Sequence, residues 1–249
     1  LNMNVALIGY GKMGKEVESL APAQGVQVVA RFDIENNRNG SGLTSESLKD
    51  VQVCIDFSVP AEVLTNIQRV ADCRKNLVVG TTGWYDKLEQ AKRIVQENGV
   101  GLVYAANFSI GVNLFLKLIE DAAKKFSRFQ EYDVSVQEIH HKDKLDSPSG
   151  TALEIGRTLL RVFPRKKELL TKNAEGKIKP EQLHLSSTRA GSFTGVHTVL
   201  FDSPADTIEL KHTARSRAGF ALGALLAARW INGKRGFYSI EDVLKDVVQ

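Results

Sequence analysis

Short apolar runs alternate with amphipathic stretches over the N-terminal part of the chain. Buried strands are predicted at 5–8, 26–32, 51–57, 77–80 and 101–105. Helices are predicted at 12–20, 61–71 and 85–97. Strands that alternate with helices in this way form a parallel sheet with right-handed crossovers and helices on both faces. The second crossover, 34–50, is too polar and too rich in Asn and Gly to hold a sizeable helix.

A different pattern follows Asn107. Helices are predicted at 112–126 and 151–162, and strands at 133–139, 196–201 and 207–212. Residues 165–180 are polar and are predicted to form a loop, while the Ala-rich stretch 219–230 predicts a closely packed helix. This combination is typical of an α+β domain, so we expect two domains of different architecture.

Length and composition agree with a soluble protein of this size. The chain has 249 residues, of which 43% are hydrophobic and 25% are charged. These values are ordinary for globular proteins, and the length suits one large domain or two modest ones. No apolar run approaches the ~20 residues that span a bilayer, and no signal-peptide pattern precedes the first strand. We therefore expect no membrane partner.

The charge pattern argues against a nucleic-acid partner. The net charge is only +4, and the Lys and Arg residues are scattered, whereas nucleic-acid binders concentrate them in one patch. The one dense basic cluster, 161–167, is interpreted as a solvated surface at the end of a helix. The mild positive balance would favour a small anionic substrate.

The two cysteines, Cys54 and Cys73, do not indicate a disulfide framework. They lie 19 residues apart, and the chain has no CxxC pair. We interpret them as buried, reduced thiols, which predicts a cytoplasmic protein.

A glycine-rich pattern, G-x-G-x-x-G, follows the first predicted strand and opens the first predicted helix. Its members are Gly9, Tyr10, Gly11, Lys12, Met13 and Gly14. Glycines at this spacing allow a tight turn and a close backbone approach to a pyrophosphate, to which the helix presents unpaired N–H groups. The sequence therefore predicts a Rossmann-like parallel sheet that binds a nicotinamide dinucleotide.

Asp33 is predicted to bind the adenine ribose, because it lies 19 residues after Gly14 at the end of the second strand. A carboxylate there favours NADH, since it repels the 2′-phosphate of NADPH. Arg31 and Arg38 are close enough in sequence to offset that repulsion, so NADPH stays possible.

Two further segments follow predicted strands of the same sheet. They are Gly80-Thr81-Thr82 and Ala105-Ala106-Asn107-Phe108. Ligands of open α/β sheets bind beyond the carboxyl ends of the strands, so we expect both segments to contact the cofactor.

The densest run of reactive residues is 138–152, which joins a strand to a helix. Neighbouring strand residues point to opposite faces, so His140 and His141 are expected to have different roles. This alternation and the lack of an HExxH or CxxC motif predict that no metal is bound. Lys144 and the helix start Ser149-Gly150-Thr151 are expected to bind a carboxylate. A histidine is suited to donate a proton after hydride transfer.

This run, E-I-H-H-K-D-K-L-D-S-P-S-G-T-A, resembles the signature of the dihydrodipicolinate reductase family. The resemblance extends over nearly the whole chain, from the glycine pattern to Gly236-Phe237-Tyr238. It implies reduction of the cyclic dicarboxylate 4-hydroxy-tetrahydrodipicolinate to tetrahydrodipicolinate with NADH or NADPH, in lysine and diaminopimelate biosynthesis. It also implies a homotetramer.

The resemblance implies residue roles and domain boundaries. His140 and Lys144 would be catalytic. Substrate would be bound by His141, Ser149, Gly150 and Thr151. Residues 1–108 and 216–249 would form the dinucleotide-binding domain, and 109–215 the substrate-binding and oligomerisation domain. One departure concerns the cofactor: Ile34 follows Asp33 where better-known family members carry an arginine that helps to accept NADPH, so we predict a preference for NADH.

Two other functions remain open at this stage. The chain could be another two-domain dehydrogenase that acts on an amino acid such as aspartate, because the glycine pattern is common to many dehydrogenases. It could also be a non-enzymatic redox sensor that binds NAD(H) and a protein. A redox sensor, however, would need neither a proton donor nor an anion-binding site.

Overall fold

The computed structural model describes residues 3–172 and 176–248. The strands are β1 (Met3–Ile8), β2 (Val26–Phe32), β3 (Val53–Asp56), β4 (Asn76–Val79), β5 (Gly101–Tyr104), β6 (Asp133–His140), β7 (Glu168–Leu170), β8 (Gln182–Arg189), β9 (Val196–Asp202), β10 (Thr207–Thr213) and β11 (Gly236–Ser239). The helices are α1 (Lys12–Leu20), α2 (Val63–Asp72), α3 (Leu88–Asn98), α4 (Ile110–Phe126), α5 (Gly150–Val162), α6 (Ala218–Ile231) and α7 (Ile240–Val248).

The chain forms two compact units. One comprises Leu1–Ile110 with Arg217–Gln249, and the other comprises Gly111–Ser216. The sequence predicts these divisions after residues 108 and 215, and the roles that it gives to the two units stay predictions.

The first unit is built on a parallel sheet of six strands in the order β11-β5-β4-β3-β1-β2. One face packs against α1, α6 and α7, and the other against α2 and α3. The four inner strands are nearly continuous apolar runs because both of their faces are buried, as in Val53–Asp56, whereas the edge strand β2 has exposed residues. The predicted Rossmann-like fold is confirmed. The second crossover contains only a short 3₁₀ turn, Arg38–Gly40.

The second unit has a mixed sheet of five strands in the order β10-β9-β6-β8-β7. Strand β6 is central, antiparallel to β9 and parallel to β8. Helices α4 and α5 pack on one face of this sheet through Phe115, Ile119, Ile155 and Leu159. The α+β architecture predicted for this part of the chain is confirmed.

Two predictions about 161–180 are wrong. Strand β7 lies inside the predicted loop, and part of the basic cluster is not solvated. Lys166 is 3% exposed. Its ammonium pairs with Asp133 at 2.6 Å and donates to the carbonyls of Pro180 and Gln182. Arg165 donates to the carbonyls of Ser127, Phe129 and Tyr132. Carbonyl oxygens and the Asp133 carboxylate replace the water around these cations, and such partners are what allow a charged group to be buried.

Both cysteines are free thiols, as expected, but only Cys54 is buried and Cys73 is partly exposed.

Within the described parts of the chain, no helix is long and apolar enough to cross a membrane.

Candidate active site

The glycine loop has the geometry that a bound pyrophosphate needs. Gly9 has φ +85, and a Cβ there would lie 2.4 Å from the carbonyl oxygen of Phe57. A Cβ at Gly14 would lie 2.4 Å from the carbonyl oxygen of Gly9, so glycine lets helix and strand approach closely. Gly11 precedes α1, with nothing within 4 Å of where its Cβ would be. The loop therefore leaves open space at a helix N-terminus, and these residues fit a dinucleotide.

The side chains around this loop form contacts with Arg31. Tyr10 donates a hydrogen bond to Glu18. Arg31 forms an ion pair with Glu18, to which its Nε donates at 3.0 Å, and stacks over the Tyr10 ring at 5.7 Å. Arg31 is therefore engaged with Glu18 and Tyr10, and its predicted offset of the repulsion between Asp33 and a 2′-phosphate stays a prediction. Lys12 is exposed and Met13 is half-buried.

Asp33 lies directly after β2, at the sheet edge that carries the glycine loop. Its Oδ1 accepts a hydrogen bond from the N–H of Ile34 at 2.9 Å. Ile34 is 74% exposed and places no cation beside Asp33. This arrangement leaves an exposed carboxylate at the end of β2, and its contact with ribose hydroxyls stays a prediction.

The segment after β4 is partly structural. Thr81 is buried, and its hydroxyl donates to Asp56 Oδ1 at 2.9 Å. Asp56 is fully buried, and burial raises its pKa although hydrogen bonds from Ser58, Asn66 and Thr81 act in the opposite direction. Gly80 and Thr82 flank this cluster, and Thr82 is exposed.

The segment after β5 lies at the same edge of the sheet. Ala105 and Phe108 are buried, while Ala106 is exposed. The side chain of Asn107 accepts a hydrogen bond from Ser109 N–H at 2.8 Å. In both segments, contact with the cofactor stays a prediction.

In the second unit, residues on one face of β6 alternate with residues on the other. Val134, Val136, Glu138 and His140 are all buried, with Glu138 1% and His140 7% exposed. His141 follows the strand and is half-buried. The two histidines therefore differ in environment, as the alternation predicts.

Two neighbouring strands, β8 and β9, bring partners to Glu138. His197 on β9 lies opposite Glu138 in register, and Arg189 on β8 lies beside His140. Glu138 Oε1 accepts from Arg189 and from Ser149 N–H, both at 2.9 Å. Its Oε2 lies 3.2 Å from His140 Nδ1 and 3.6 Å from His197 Nε2.

Burial and charge act in opposite directions on this cluster. Burial lowers the pKa of His140 to about 4, although the Glu138 carboxylate raises it. Burial alone would raise the pKa of Glu138, but the contacts with His197, Ser149 and Arg189 hold that pKa well below its usual range. At neutral pH the site therefore pairs an ionised Glu138 with a neutral His140.

The start of α5 lies next to this cluster. Ser149 is buried, and its hydroxyl accepts from Ala152 N–H and lies 3.2 Å from His197 Nε2. The hydroxyl is therefore engaged within the protein, and its predicted contact with substrate stays a prediction. Gly150 is exposed, with nothing within 4 Å of where its Cβ would be. Thr151 follows it and is half-buried. The helix N-terminus at Gly150 is open to an anion.

Lys144 lies in the loop between β6 and α5. Its ammonium pairs with Asp146 at 2.7 Å. Arg189 donates to the Asp146 carbonyl at 2.7 Å, so this loop is linked to the Glu138 cluster. Lys144 thus adds a positive charge to the surroundings of His140.

Among the described residues, one group could hold a metal ion. Glu138, His140 and His197 each offer a ligand atom, and these atoms lie within 4.8 Å of one another. Arg189 already binds the same carboxylate and would repel a cation there. The absence of a metal stays a prediction.

Sequence reasoning assigned no role to Glu138, Arg189 or His197. Glu138 precedes His140 by two residues, so strand alternation alone places both on one face. Arg189 and His197 come from other strands, and only the pairing of β6 with β8 and β9 brings them near.

A Rossmann-like unit joined to an α+β unit with a buried Glu–His cluster defines a nicotinamide-dependent reductase. The family model described as dihydrodipicolinate reductase, N-terminus, matches residues 3–108, and the C-terminus model matches 111–244. The chain belongs to the dihydrodipicolinate reductase family.

Individual relatives agree with this assignment. The 4-hydroxy-tetrahydrodipicolinate reductase of Christiangramia forsetii is 37% identical over 98% of this chain and 99% of its own. The enzyme of the same name from Neisseria gonorrhoeae is 38% identical over 79% of this chain and 74% of its own. The solved structure of dipicolinate-bound dihydrodipicolinate reductase from Paenisporosarcina sp. TG-14 superposes with a TM-score of 0.78 and 25% identity, over 98% of this chain and 100% of that one.

Proposed function

We propose that the protein reduces 4-hydroxy-tetrahydrodipicolinate to tetrahydrodipicolinate with loss of water, using NAD(P)H, in lysine and diaminopimelate biosynthesis. The observation that carries this proposal is the buried Glu138–His140 pair beside the open N-terminus of α5, in a chain of this family. It combines a proton donor with a site for a carboxylate, which the reduction of a cyclic dicarboxylate requires.

The residues of the second unit bind and protonate the substrate. The N-terminus of α5 at Gly150 and Thr151 binds one carboxylate, and His141 and Lys144 add polar and positive contacts. A dianion beside His140 raises the pKa of the imidazole above its low ligand-free value, because opposite charge favours the protonated form. His140 then protonates the atom next to the carbon that accepts hydride, and Lys144 assists. The reduced nicotinamide supplies that hydride when it is bound.

We propose that NADH is the preferred cofactor and that NADPH is used less well. The exposed carboxylate of Asp33 accepts hydrogen bonds from ribose hydroxyls, but it repels a 2′-phosphate. Arg31 is held by Glu18, and the residue after Asp33 is an uncharged isoleucine.

We further propose a homotetramer that assembles through the second unit and works in the cytoplasm. The second unit exposes large apolar side chains that an interface would cover, including Leu118 at 60% and Phe129 at 56% exposure. Two free thiols suit a reducing compartment.

The test is NADH oxidation coupled to dihydrodipicolinate synthase supplied with pyruvate and aspartate semialdehyde. We expect loss of absorbance at the nicotinamide band only when synthase, its substrates and this protein are all present. A panel with oxaloacetate plus ammonia tests the amino-acid dehydrogenase alternative. Nucleotide binding without turnover of any of these substrates would instead support a redox sensor and contradict the proposal.

A further inference from the structure

Glu138 lies at the centre of the buried cluster, and the proposed reaction assigns the proton to His140 without saying what the Glu138 carboxylate does. Both oxygens of Glu138 face polar groups, yet only Oε1 receives hydrogen bonds, from Arg189 and from Ser149 N–H. Oε2 has no partner in hydrogen-bonding geometry, and neither does His140 Nδ1, although the two atoms are 3.2 Å apart. The unsatisfied oxygen of a buried carboxylate thus lies beside the ring of the proposed proton donor, at a distance that a small rotation of the ring would make a hydrogen bond.

We infer that Glu138 positions His140 by keeping its Nδ1 protonated, so that Nε2 is the atom that takes up and releases the catalytic proton. This inference rests on the proposed function. An ionised carboxylate can only accept hydrogen bonds, so the imidazole nitrogen that faces it must carry hydrogen. The other nitrogen of a neutral ring then has a free lone pair.

Arg189 and Ser149 make this arrangement stable. A buried carboxylate without partners would take up a proton and lose its ability to act as an acceptor. The guanidinium of Arg189, 2.9 Å from Oε1, supplies the compensating charge, and Ser149 N–H supplies a second donor. The charge on Oε1 is thereby compensated, and Oε2 is left for the two imidazoles.

The far side of the His140 ring is kept open by a glycine. A Cβ at Gly195 would lie 3.0 Å from His140 Nε2, which is closer than a side-chain carbon is normally found. Gly195 does not adopt a left-handed backbone conformation, so the missing side chain leaves space and does not relieve backbone strain. The space lies at the atom to which we assign the proton.

The proton balance closes within one turnover. Neutral His140 carries hydrogen on Nδ1 and binds a proton from solvent at Nε2, and the imidazolium gives that proton to the substrate. The charged and titratable groups around the ring are Glu138 on β6, Arg189 on β8, His197 on β9 and Lys144 in the loop after β6.

The experiment compares wild type with Glu138→Gln and with the matched control Glu209→Gln, which alters an exposed carboxylate on β10 of the same sheet. ¹⁵N NMR of the histidine side chains reports the His140 tautomer, with its resonance assigned by its loss in His140→Gln. We expect the Nδ1–H form in wild type and in the control. In Glu138→Gln we expect a substantial Nε2–H population, a shifted pH profile of kcat/KM and a loss in kcat of about a hundredfold or more.

The outcomes separate this inference from the proposed function. If wild type shows no turnover, the proposed function fails, and the tautomer still decides the role of Glu138. An unchanged tautomer and an unchanged pH profile in Glu138→Gln would overturn the inference even if activity fell. If that variant does not fold, Gly195→Ala takes its place: we expect a native tautomer with at least a tenfold loss of kcat, and full activity would contradict the assignment of Nε2.

Discussion

At the scale of single residues, His140 combines two opposing influences. Burial lowers its pKa to about 4, and the neighbouring carboxylate of Glu138 raises it. We therefore expect the ring to be neutral in the free protein at pH 7, and in the proposed reaction a bound dianion turns it into a proton donor. Proton donation is thus coupled to the presence of substrate, which limits proton loss to solvent between turnovers.

Replacement of this ring should affect the chemistry and leave cofactor binding intact. For His140→Gln we expect kcat to fall by roughly two to four decades, because general acid catalysis contributes about that much. The dissociation constant for NADH, measured by fluorescence titration, should stay within about twofold of wild type. Equal turnover in the variant would remove His140 from the reaction.

Asp33 should determine the choice of cofactor. In Asp33→Ser we expect NADH to bind about tenfold more weakly and NADPH to bind at least as well as in wild type, because the carboxylate no longer binds ribose or repels the 2′-phosphate. The control is Asp50→Ser, an exposed acid that precedes β3 at the amino end of the sheet. A wild-type protein that binds NADPH more tightly than NADH would contradict the proposed preference.

At the scale of elements, the site depends on β6 and on the start of α5. Strand β6 is the central strand of its sheet, so its buried face receives side chains from both neighbours. Helix α5 begins where the loop from β6 returns to Glu138, whose Oε1 accepts the N–H of the capping residue Ser149. One carboxylate thus connects His140 to the start of α5.

Loss of the Ser149 hydroxyl should destabilise this junction. For Ser149→Ala we expect the free energy of unfolding, from urea titration, to fall by about 1 to 2 kcal/mol, since the helix loses its cap. We expect a change within about 0.5 kcal/mol for Ser41→Ala, an exposed serine in a turn of the first unit. Equal stability of the two variants would show that the cap contributes little.

At the scale of the whole molecule, the low pKa of His140 makes stability depend on pH. Between its ordinary value of 6.5 and about 4, the unfolded state binds a proton that the folded state does not. Stability therefore falls as the pH falls through this window, by up to about 3 kcal/mol for this group. Glu138, with its lowered pKa, loses its contribution only at lower pH.

Thermal unfolding can isolate the contribution of His140. We expect the midpoint of wild type to decrease more steeply from pH 7 to pH 4.5 than that of His140→Gln, which lacks the group. Parallel pH profiles for the two proteins would mean that another group dominates, and His212, whose pKa burial also lowers, would be the next to replace.

The assembly is a second property of the whole molecule. Light scattering should give the mass of four 27.4 kDa chains for wild type. We expect Leu118→Glu to shift the mass toward smaller species, because a charge would replace an exposed leucine on α4 that we propose is covered in the tetramer. The exposed Ile34→Glu in the first unit is the control, and a monomeric wild type would contradict the proposal.

The sequence alone determined the properties that depend on local pattern. Apolar periodicity predicted the parallel sheet and the bounds of α1 and β2. The order of apolar and polar residues along a segment shows directly whether a strand can bury both faces or a helix one face. The glycine spacing predicted the tight loop between β1 and α1, and the 138–152 run indicated the family. Strand alternation also separated the environments of His140 and His141.

The tertiary structure decided what depends on residues far apart in the chain. It showed that Arg31 is held by Glu18, that Lys166 is buried against Asp133, and that β7 lies within a stretch predicted as loop. It also brought Arg189 and His197 to Glu138 from separate strands. Composition and periodicity describe single segments, whereas the partners of a buried charge are set by strand pairing, which local patterns do not specify.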